Sequence, residues 1–415
     1  MRRACGSESV DFLDCARMSA ELSNYPAVPL RVVHIISGLD WTDGGPTTAL
    51  LALATALARL PIEVTVVATP RSSGCMPVVE ELRAKGVRVQ LIGRRGWRFG
   101  GVQKLRDILT QEITRANVVH IHALWEEVQY QAIRIARLYR RSFIVRPCGL
   151  LEPWSMSQNR LKKRLYFELR LRGHLNAAAA IHFATPLEKA GARSLRLQAP
   201  AVVEANGIDF EEFVELPTPG DFRRRLGVSD ETPIALFLGR LHPKKGLELL
   251  ITAFADVALP NAVLAIVGTG DTSYEQELRR VAAACDLGDR VKFVGFLQGR
   301  DRVAAYADAT VFVLPSYSEN FGNVVIESLA AGTPVIVSDR VNVHPKISSA
   351  KVGGVVSPTV KELSAELNIW LSDAAKRELA IANARAFLVP YSVNKIADNW
   401  LQRYRELNQD THGSS

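Results

Sequence analysis

Residues 314–335 read LPSYSENFGNVVIESLAAGTPV, which predicts a strand end, a loop, a helix, a glycine stop and a second strand. Glu319 falls in the loop, and Glu327 follows eight residues later in the helix. Gly322 and Asn323 stand where the helix begins, and free backbone N–H groups and the helix dipole favour an anion there. Each glutamate taken alone is also consistent with an ordinary surface charge.

The same alternation of short apolar strands and helical segments extends over most of the chain, with a proline-bearing linker at 216–220. Strands are predicted near 31–36, 63–68, 87–92, 117–122 and 142–146 before the linker, and near 234–238, 262–267, 291–294, 310–314 and 334–337 after it. This alternation predicts an α/β fold with parallel sheets. We expect two Rossmann-like, doubly wound domains facing each other across a cleft, with ligands outside the carboxyl ends of the strands.

Composition excludes several classes of protein. The chain has 415 residues, 47% hydrophobic and 23% charged, which argues against disorder throughout, collagen-like repeats and a coiled coil. The longest apolar stretch, 49–58, is too short to span a bilayer. Five scattered cysteines without a C-x-x-C pair argue against a disulfide framework or a structural zinc site and favour a reducing cytosol.

The net charge of +8 is divided unevenly between the two halves. Residues 1–205 contain 29 Lys and Arg against 17 Asp and Glu, a net +12, and residues 206–415 contain 22 against 26, a net −4. The basic half could therefore meet nucleic acid, an anionic membrane surface or a phosphorylated substrate.

The stretch 314–335 resembles the E-x7-E signature of retaining glycosyltransferases of family 4, which have the GT-B fold. The match includes the flanking Pro-Ser and the Ala-Gly-Thr-Pro-Val tail. The resemblance implies that Glu319 contacts the donor sugar and that Glu327 holds the nucleotide ribose. The neighbouring backbone would meet the sugar and diphosphate at Asn320, Phe321, Gly322 and Asn323.

A second segment, FLGRLHPKKG at 237–246, places two cations just past a strand end. Arg240 offers a planar fork of donors and Lys245 a mobile point charge. Alone this is equally consistent with a basic surface turn, but it meets the family's G-R-x4-K-G pattern. The resemblance implies that Arg240 and Lys245 clamp the leaving diphosphate beside Gly239, and Lys244 is the weaker candidate.

Three glycine-containing loops resemble further parts of the donor site. Gly268 follows one predicted strand, and Phe296 and Leu297 follow another, where the family's loops read the base through backbone groups. Gly44 and Gly45 lack the full G-x-G-x-x-G fingerprint of a dinucleotide site. They resemble the family's N-terminal loop, which lies against the donor phosphates or the acceptor. Each loop is also consistent with a plain turn.

His120 and His122 end a predicted strand with their side chains on one face. A metal pair is conceivable, but no third ligand lies nearby in sequence. By resemblance, His122 contacts the donor sugar, whereas His120 is expected to be packed. Residues 146–154 resemble a loop in which many members have His or Arg at the position of Cys148, and this loop is expected to border the acceptor site.

Residues 158–172 mix cations with leucines and aromatics at helical spacing. They are consistent with a helix lying on an anionic membrane, supported by residues 94–99, or with an amphipathic surface helix packed on its own sheet. The +12 charge of the first half favours the membrane surface.

The predicted domains are an unstructured extension at 1–28, an acceptor-side domain at 29–205 and a nucleotide-sugar-binding domain at 206–390, with a helix at 391–408 returning to the first domain. The predicted activity is retaining, metal-independent transfer of a hexose-type sugar from a UDP- or GDP-linked donor, without a cofactor and without a D-x-D motif. The expected acceptor is a saccharide or a lipid-linked saccharide, as in bacterial surface-polysaccharide synthesis. The expected location is cytoplasmic, peripheral at the inner face of the membrane. The alternatives are a GT-B-like sugar-nucleotide epimerase and a nucleic-acid binder, although the sequence shows no recognisable nucleic-acid-binding motif.

Overall fold

The computed structural model describes residues 29–70, 73–93 and 102–412. The predicted extension at 1–28 and the basic segment at 94–99 lie outside the described residues. No helix in the described part of the chain is both long enough and apolar enough to cross a membrane.

The strands form two parallel sheets. The first sheet contains β1 (Leu30–Ile36), β2 (Ile62–Ala68), β3 (Arg88–Leu91), β4 (Val118–His122), β5 (Ser142–Arg146), β6 (Ala180–Phe183) and β7 (Ala201–Val203). The second contains β8 (Ile234–Leu238), β9 (Val263–Val267), β10 (Val291–Gly295), β11 (Val311–Leu314), β12 (Val335–Ser338) and β13 (Gly353–Val356).

Helices connect the strands and cover both faces of each sheet. They are α1 (Gly45–Ala58), α2 (Met76–Ala84), α3 (Val102–Arg115), α4 (Glu127–Leu138), α5 (Pro153–Ser157), α6 (Arg160–Tyr166), α7 (Arg172–Leu175), α8 (Pro186–Gly191), α9 (Asp221–Leu226), α10 (Leu247–Ala255), α11 (Thr272–Ala284), α12 (Gly299–Ala307), α13 (Asn323–Ala330), α14 (His344–Ala350), α15 (Val360–Ser372), α16 (Ala374–Leu388) and α17 (Val393–His412). A π-helical turn, Phe167–Leu171, joins α6 to α7.

Both sheets have the strand order of a doubly wound domain. The first runs β3-β2-β1-β4-β5-β6-β7 and the second β10-β9-β8-β11-β12-β13, so both contain the 3-2-1-4-5-6 order of the Rossmann fold. The order reverses between β1 and β4 and between β8 and β11, and ligands bind at such switch points. The predicted fold class is confirmed.

The last helix packs on the first domain although it follows the second. Trp400 and Tyr404 of α17 are fully buried in the apolar cluster formed with α1, α2 and one face of the first sheet. The preceding α16 instead packs on the second domain through Ala384 and Phe387. The chain therefore crosses between domains at residues 389–392.

Candidate functional site

The loops after β8 and β11 meet at the switch point of the second sheet. The backbone N–H of Tyr317 donates to the carbonyl of Lys244 at 2.8 Å. Gly246 has a φ of +69°, and a Cβ there would lie 2.5 Å from the carbonyl oxygen of Pro315. Glycine is therefore required for this close approach, which brings the basic segment beside the loop that contains Glu319.

Lys245 and Glu319, predicted from two separate motifs, form an ion pair. Both side chains are 17% exposed. Burial opposes ionisation of Glu319, but the charges of Lys245, Lys244 and Arg240 outweigh it and lower its pKa. The carboxylate is therefore ionised at neutral pH and surrounded by fixed positive charge.

The other two cations of this segment differ in their contacts. Arg240 is exposed and has no hydrogen-bond or ion-pair partner among the described residues. Lys244 lies 5.2 Å from the ring centre of Trp154, which belongs to the first domain. Burial lowers the pKa of Lys244, and the charge of Glu319 partly offsets this effect. Lys244, the weaker candidate in the sequence analysis, thus contacts the first domain.

Glu327 is held by two side chains that sequence reasoning missed. Its Oε2 accepts hydrogen bonds from Arg302 at 2.5 Å and from the hydroxyl of Tyr306 at 3.0 Å. Arg302 also pairs with Glu212. Burial opposes the charge of Arg302, but the charge of Glu327 outweighs it and raises the arginine pKa. Within the described residues Oε1 of Glu327 has no partner, so this oxygen is available to a ligand.

Glycines at the ends of β8, β9 and β10 pack against one another. A Cβ on Gly268, whose φ is +134°, would lie 1.9 Å from the carbonyl oxygen of Gly239. The N–H of Gly268 donates to the carbonyl of Gly295 at 2.8 Å. Beyond these turns, Phe296 is 46% exposed and Leu297 is buried. The three loops therefore form a continuous backbone surface at the carboxyl edge.

The start of α13 presents backbone rather than side chains. Gly322 is the N-cap residue with φ +81°, and within the described part of the chain no side chain caps the first turn. The ring of Phe321 is 2% exposed and packs edge-on against Tyr391, 5.8 Å between centres. The side chain of Phe321 is thus part of the core, and its backbone is what could meet an anion.

Asn323 connects the starts of two helices across the cleft. Its Nδ2 donates to Thr48 Oγ1 at 3.1 Å and to the carbonyl of Gly45 at 3.4 Å, while its Oδ1 accepts from Asn206 at 2.7 Å. Cβ atoms on Gly44 or Gly45 would have open space around them. The predicted first-domain glycine loop therefore lies directly against the start of α13.

Two buried glutamates of the first domain also face the second domain. Glu188 accepts from the N–H groups of Gly149 and Ala184 at 2.6 and 2.7 Å, and Asn320 Nδ2 lies 3.0 Å from it when the amide is oriented to donate. Burial raises the pKa of Glu188 to about 7, although these backbone N–H groups oppose the rise. Glu152 accepts from Asn342.

The loop containing Cys148 thus lies where the two domains meet, since its Gly149 packs against Asn320. That this loop borders the acceptor site stays a prediction. Burial raises the pKa of the Cys148 thiol, which therefore stays protonated and unreactive at neutral pH. Burial also raises the pKa of Glu152, although the hydrogen bond from Asn342 and the charge of Lys244 each lower it.

His122 lies in a buried cluster at the end of β4 rather than on the cleft surface. Its side chain has no exposed area, and its Nε2 is 3.0 Å from Nδ1 of His34. Burial lowers the pKa of His122 well below its ordinary value, and His34 and Arg146 lower it further. Among the residues that the structure describes, none bonds Nδ1 of His122. Contact of His122 with a donor sugar stays a prediction and would have to use this atom.

His34 supplies the third imidazole that the sequence did not place near His120 and His122. Nitrogen atoms of the three rings lie within 4.8 Å of one another. However, His120 bonds Tyr404 at 2.8 Å and His182 at 3.2 Å, and its ring stacks on that of His122. Coordination needs ring nitrogens that converge on one point, so this geometry fits a hydrogen-bond chain better than a metal centre.

Sequence reasoning therefore named Lys245, Glu319 and the glycine loops, but it did not predict that Lys245 and Glu319 pair, and it missed the residues that orient them. Arg302 belongs to none of the motifs and is 25 residues from Glu327. Asn206 and Glu188 likewise lie far along the chain from their partners Asn323 and Asn320, so no local spacing could indicate them.

Two family models match the chain. The model "Glycosyl transferases group 1" matches residues 220–387, and the model "Glycosyl transferase 4-like domain" matches residues 44–207. They correspond to the two doubly wound domains.

Similar proteins with curated names include two bacterial glycosyltransferases. A GDP-mannose-dependent monoacylated alpha-(1-6)-phosphatidylinositol monomannoside mannosyltransferase of Corynebacterium glutamicum is 35% identical over 193 residues, 44% of this chain and 49% of that enzyme. The chain thus spans about half the length of the curated relatives it matches first. A D-inositol 3-phosphate glycosyltransferase of Kineococcus radiotolerans is 27% identical over 408 residues, 88% of this chain and 91% of that enzyme.

Among solved structures, Anabaena HepE in complex with UDP and glucose superposes with a TM-score of 0.75 at 19% identity, covering 91% of this chain and 100% of that one. This likeness establishes the two-domain GT-B fold. Since the two models together match most of the chain and the fold agrees, the protein belongs to the glycosyl transferases of group 1, with a glycosyl transferase 4-like first domain.

Proposed function

We propose that the chain is a retaining glycosyltransferase that moves a hexose-type sugar from a UDP- or GDP-linked donor to an acceptor hydroxyl. The observation that carries this proposal is the Lys245–Glu319 pair, which lies at the switch point of the second sheet. The first turn of α13 lies in the connection between β11 and β12, which also contains Glu319. A nucleoside diphosphate needs such fixed cations and backbone N–H groups, because negative charge grows on it as the glycosidic bond breaks.

In the proposed reaction the bond from the anomeric carbon to the diphosphate oxygen breaks, and the acceptor oxygen bonds that carbon from the same face. The acceptor proton passes to an oxygen of the departing diphosphate, so no dedicated base is required. Arg240 and Lys245 stabilise the leaving group, and Glu319 orients the sugar. Oε1 of Glu327 accepts from a ribose hydroxyl while Arg302 fixes the carboxylate.

The first domain binds the acceptor, which is a saccharide or a lipid-linked saccharide. The reaction serves bacterial surface-polysaccharide synthesis. We place the enzyme in the cytoplasm, peripheral at the inner membrane face, without nucleic acid as a partner. Protein cations take the role that a metal has in other glycosyltransferases, so no metal or cofactor is needed. An epimerase is disfavoured because both matching family models describe transferases.

Thermal-shift screening against UDP, GDP and a panel of their sugars tests the proposal. A ligand at 100 times its dissociation constant stabilises the fold by about 2.7 kcal/mol. We expect at least one nucleotide to raise the melting temperature, and sugar transfer to continue in EDTA. Absence of any shift across the panel would refute donor binding, and a strict requirement for Mg²⁺ or Mn²⁺ would refute metal independence.

A further inference from the structure

Three leucines form an exposed apolar line on the first domain. Leu161, Leu165 and Leu169 are 85%, 62% and 75% exposed, and we call them the leucine ridge. Large apolar side chains are usually exposed singly, and a contiguous set indicates an interaction site. The donor site does not account for the ridge, because every donor contact proposed above lies at the carboxyl edges of the sheets.

The backbone keeps the three leucines in line. They are spaced four residues apart, and in an α-helix each such step turns the side chain by about 40°. The π-helical turn Phe167–Leu171 contains more residues per turn, so the second step turns back toward the first leucine. On the opposite side, Phe167 and Leu171 are buried in the core of the domain. The ridge is therefore held outward by packing behind it.

Cations flank the ridge. Residues 160–172 contain six Lys and Arg and one acidic residue, Glu168, which pairs with Arg172. Arg160, Lys162, Arg164 and Arg170 are all exposed. Leucines in line with cations on either side are the pattern of an amphipathic helix at a lipid interface.

We propose that the leucine ridge docks on an anionic lipid surface and that the sugar acceptor is a lipid held in that surface. The leucines insert at the level of the acyl boundary, and the four exposed cations contact lipid phosphates. The part that concerns the acceptor rests on the proposed transferase function, and the docking surface itself does not.

The ridge is continuous in sequence with the cleft. Glu152 accepts a hydrogen bond from Asn342 of the second domain, and Trp154 lies against Lys244. Leu161 follows Trp154 by seven residues, so even a fully extended chain would place the two within about 25 Å. Docking through the ridge therefore brings the cleft close to the lipid headgroups, where a lipid-borne acceptor presents its hydroxyl.

A second copy of the chain is a poorer occupant than a lipid surface. A two-fold dimer would place the same patch on both sides of the contact. The exposed cations of each copy would then face those of the other. The one carboxylate of residues 160–172, Glu168, already pairs with Arg172 of its own copy, and like charges in an interface are unfavourable. An anionic surface instead complements both the charge and the apolar line.

Vesicle sedimentation of the full chain tests the docking surface. The test variant is L161Q/L165Q/L169Q, and the matched control is V214Q/L216Q/L379Q, which changes three other exposed apolar residues. We expect the wild type and the control to bind vesicles of phosphatidylcholine with phosphatidylglycerol, and the ridge variant to bind at least about tenfold more weakly. Binding should weaken in high salt and on pure phosphatidylcholine.

Three results would overturn the docking surface. The first is that the ridge variant binds vesicles as well as the wild type does. The second is that the wild type binds pure phosphatidylcholine as well as the anionic mixture. The third is a dimer in analytical ultracentrifugation that the ridge variant does not form. Nucleotide binding by thermal shift should be the same in all three proteins. Loss of nucleotide response in every protein, with vesicle binding intact, would refute the transferase function and leave the docking surface standing.

The acceptor is tested with a radiolabelled sugar nucleotide that the thermal-shift panel identifies. Wild-type enzyme is incubated with the organic and the aqueous extracts of its source cells. Label that enters the organic phase supports a lipid acceptor, with at least about tenfold less incorporation by the ridge variant on vesicle-reconstituted extract. Label confined to aqueous products would overturn it.

Discussion

The two domains have the same strand order and use the carboxyl edge of the sheet in opposite ways. In the first domain, this edge buries His34 and His122, and burial lowers the pKa of both imidazoles. In the second, the edge carries glycine turns together with a partly exposed cation and carboxylate, Lys245 and Glu319. Topology thus determines where a ligand can bind, whereas the residues at the strand ends determine what chemistry is available.

The largest expected effect follows from separating the ion pair of the second domain. We expect Lys245→Ala and Glu319→Ala each to lower kcat by at least about a hundredfold, because groups that stabilise developing charge have effects of that size. The double variant should lose less than the product of the two effects, since the partners act together. Steady-state kinetics measures this, with exposed Lys361→Ala as the control. Near-wild-type turnover in either single variant would disprove the clamp.

The next effect concerns the glycine turns at the strand ends of the second domain. Gly268→Ala should lower the free energy of unfolding by about 3 kcal/mol, because the new Cβ would overlap the carbonyl oxygen of Gly239 at 1.9 Å. Gly173→Ala is the matched control, since a Cβ there has open space. Urea denaturation measures both. Equal stability of the two variants would show that the turns can separate without cost.

A smaller effect is expected at the ribose end of the donor site. Glu327→Ala should weaken UDP or GDP binding by about thirtyfold, because charged hydrogen bonds contribute roughly 1.5–3 kcal/mol. The variant should lose less in kcat than Glu319→Ala does. Calorimetry measures the affinity, and exposed Glu378→Ala serves as the control. Unchanged affinity would contradict the predicted role of Glu327.

The smallest effect is a pH dependence at the boundary between the domains. In the folded protein the pKa of Glu188 is raised from its ordinary 4.5 to about 7, so folding favours the neutral acid. The stabilisation that the Glu188 carboxyl contributes is fully present below pH 4.5 and is lost as the pH rises through about 7. The stability of the wild type relative to Glu188→Gln should therefore fall by about 1–2 kcal/mol between pH 5 and pH 8. Urea denaturation across this range measures it, and parallel curves would contradict it.

Much of the fold follows from sequence because buried parallel strands are short runs of branched apolar residues. Three strands have no such run: β6 (Ala180–Phe183) lies in an alanine-rich segment, β7 (Ala201–Val203) has three residues, and β13 (Gly353–Val356) begins with two glycines. These strands are formed by neighbours already in the sheets, since a pairing partner can override local propensity.

The site was predictable where its residues are close in sequence. Glu319, Gly322 and Glu327 lie within one strand–loop–helix unit. Arg302 and Glu188 reach the site from other elements, and their spacing along the chain carries no signal. The burial of His122 was also unpredictable, because its ring contacts His34, which lies 88 residues away on β1.

The position of α17 has a consequence for synthesis of the protein on the ribosome. The first domain cannot complete its core until Trp400 and Tyr404 have emerged, about 200 residues after its last strand. At roughly 5–20 residues per second, that interval lasts about 10–40 s. During this interval the nascent first domain exposes the apolar face that the last helix will cover, so chaperones have a defined period in which to bind it.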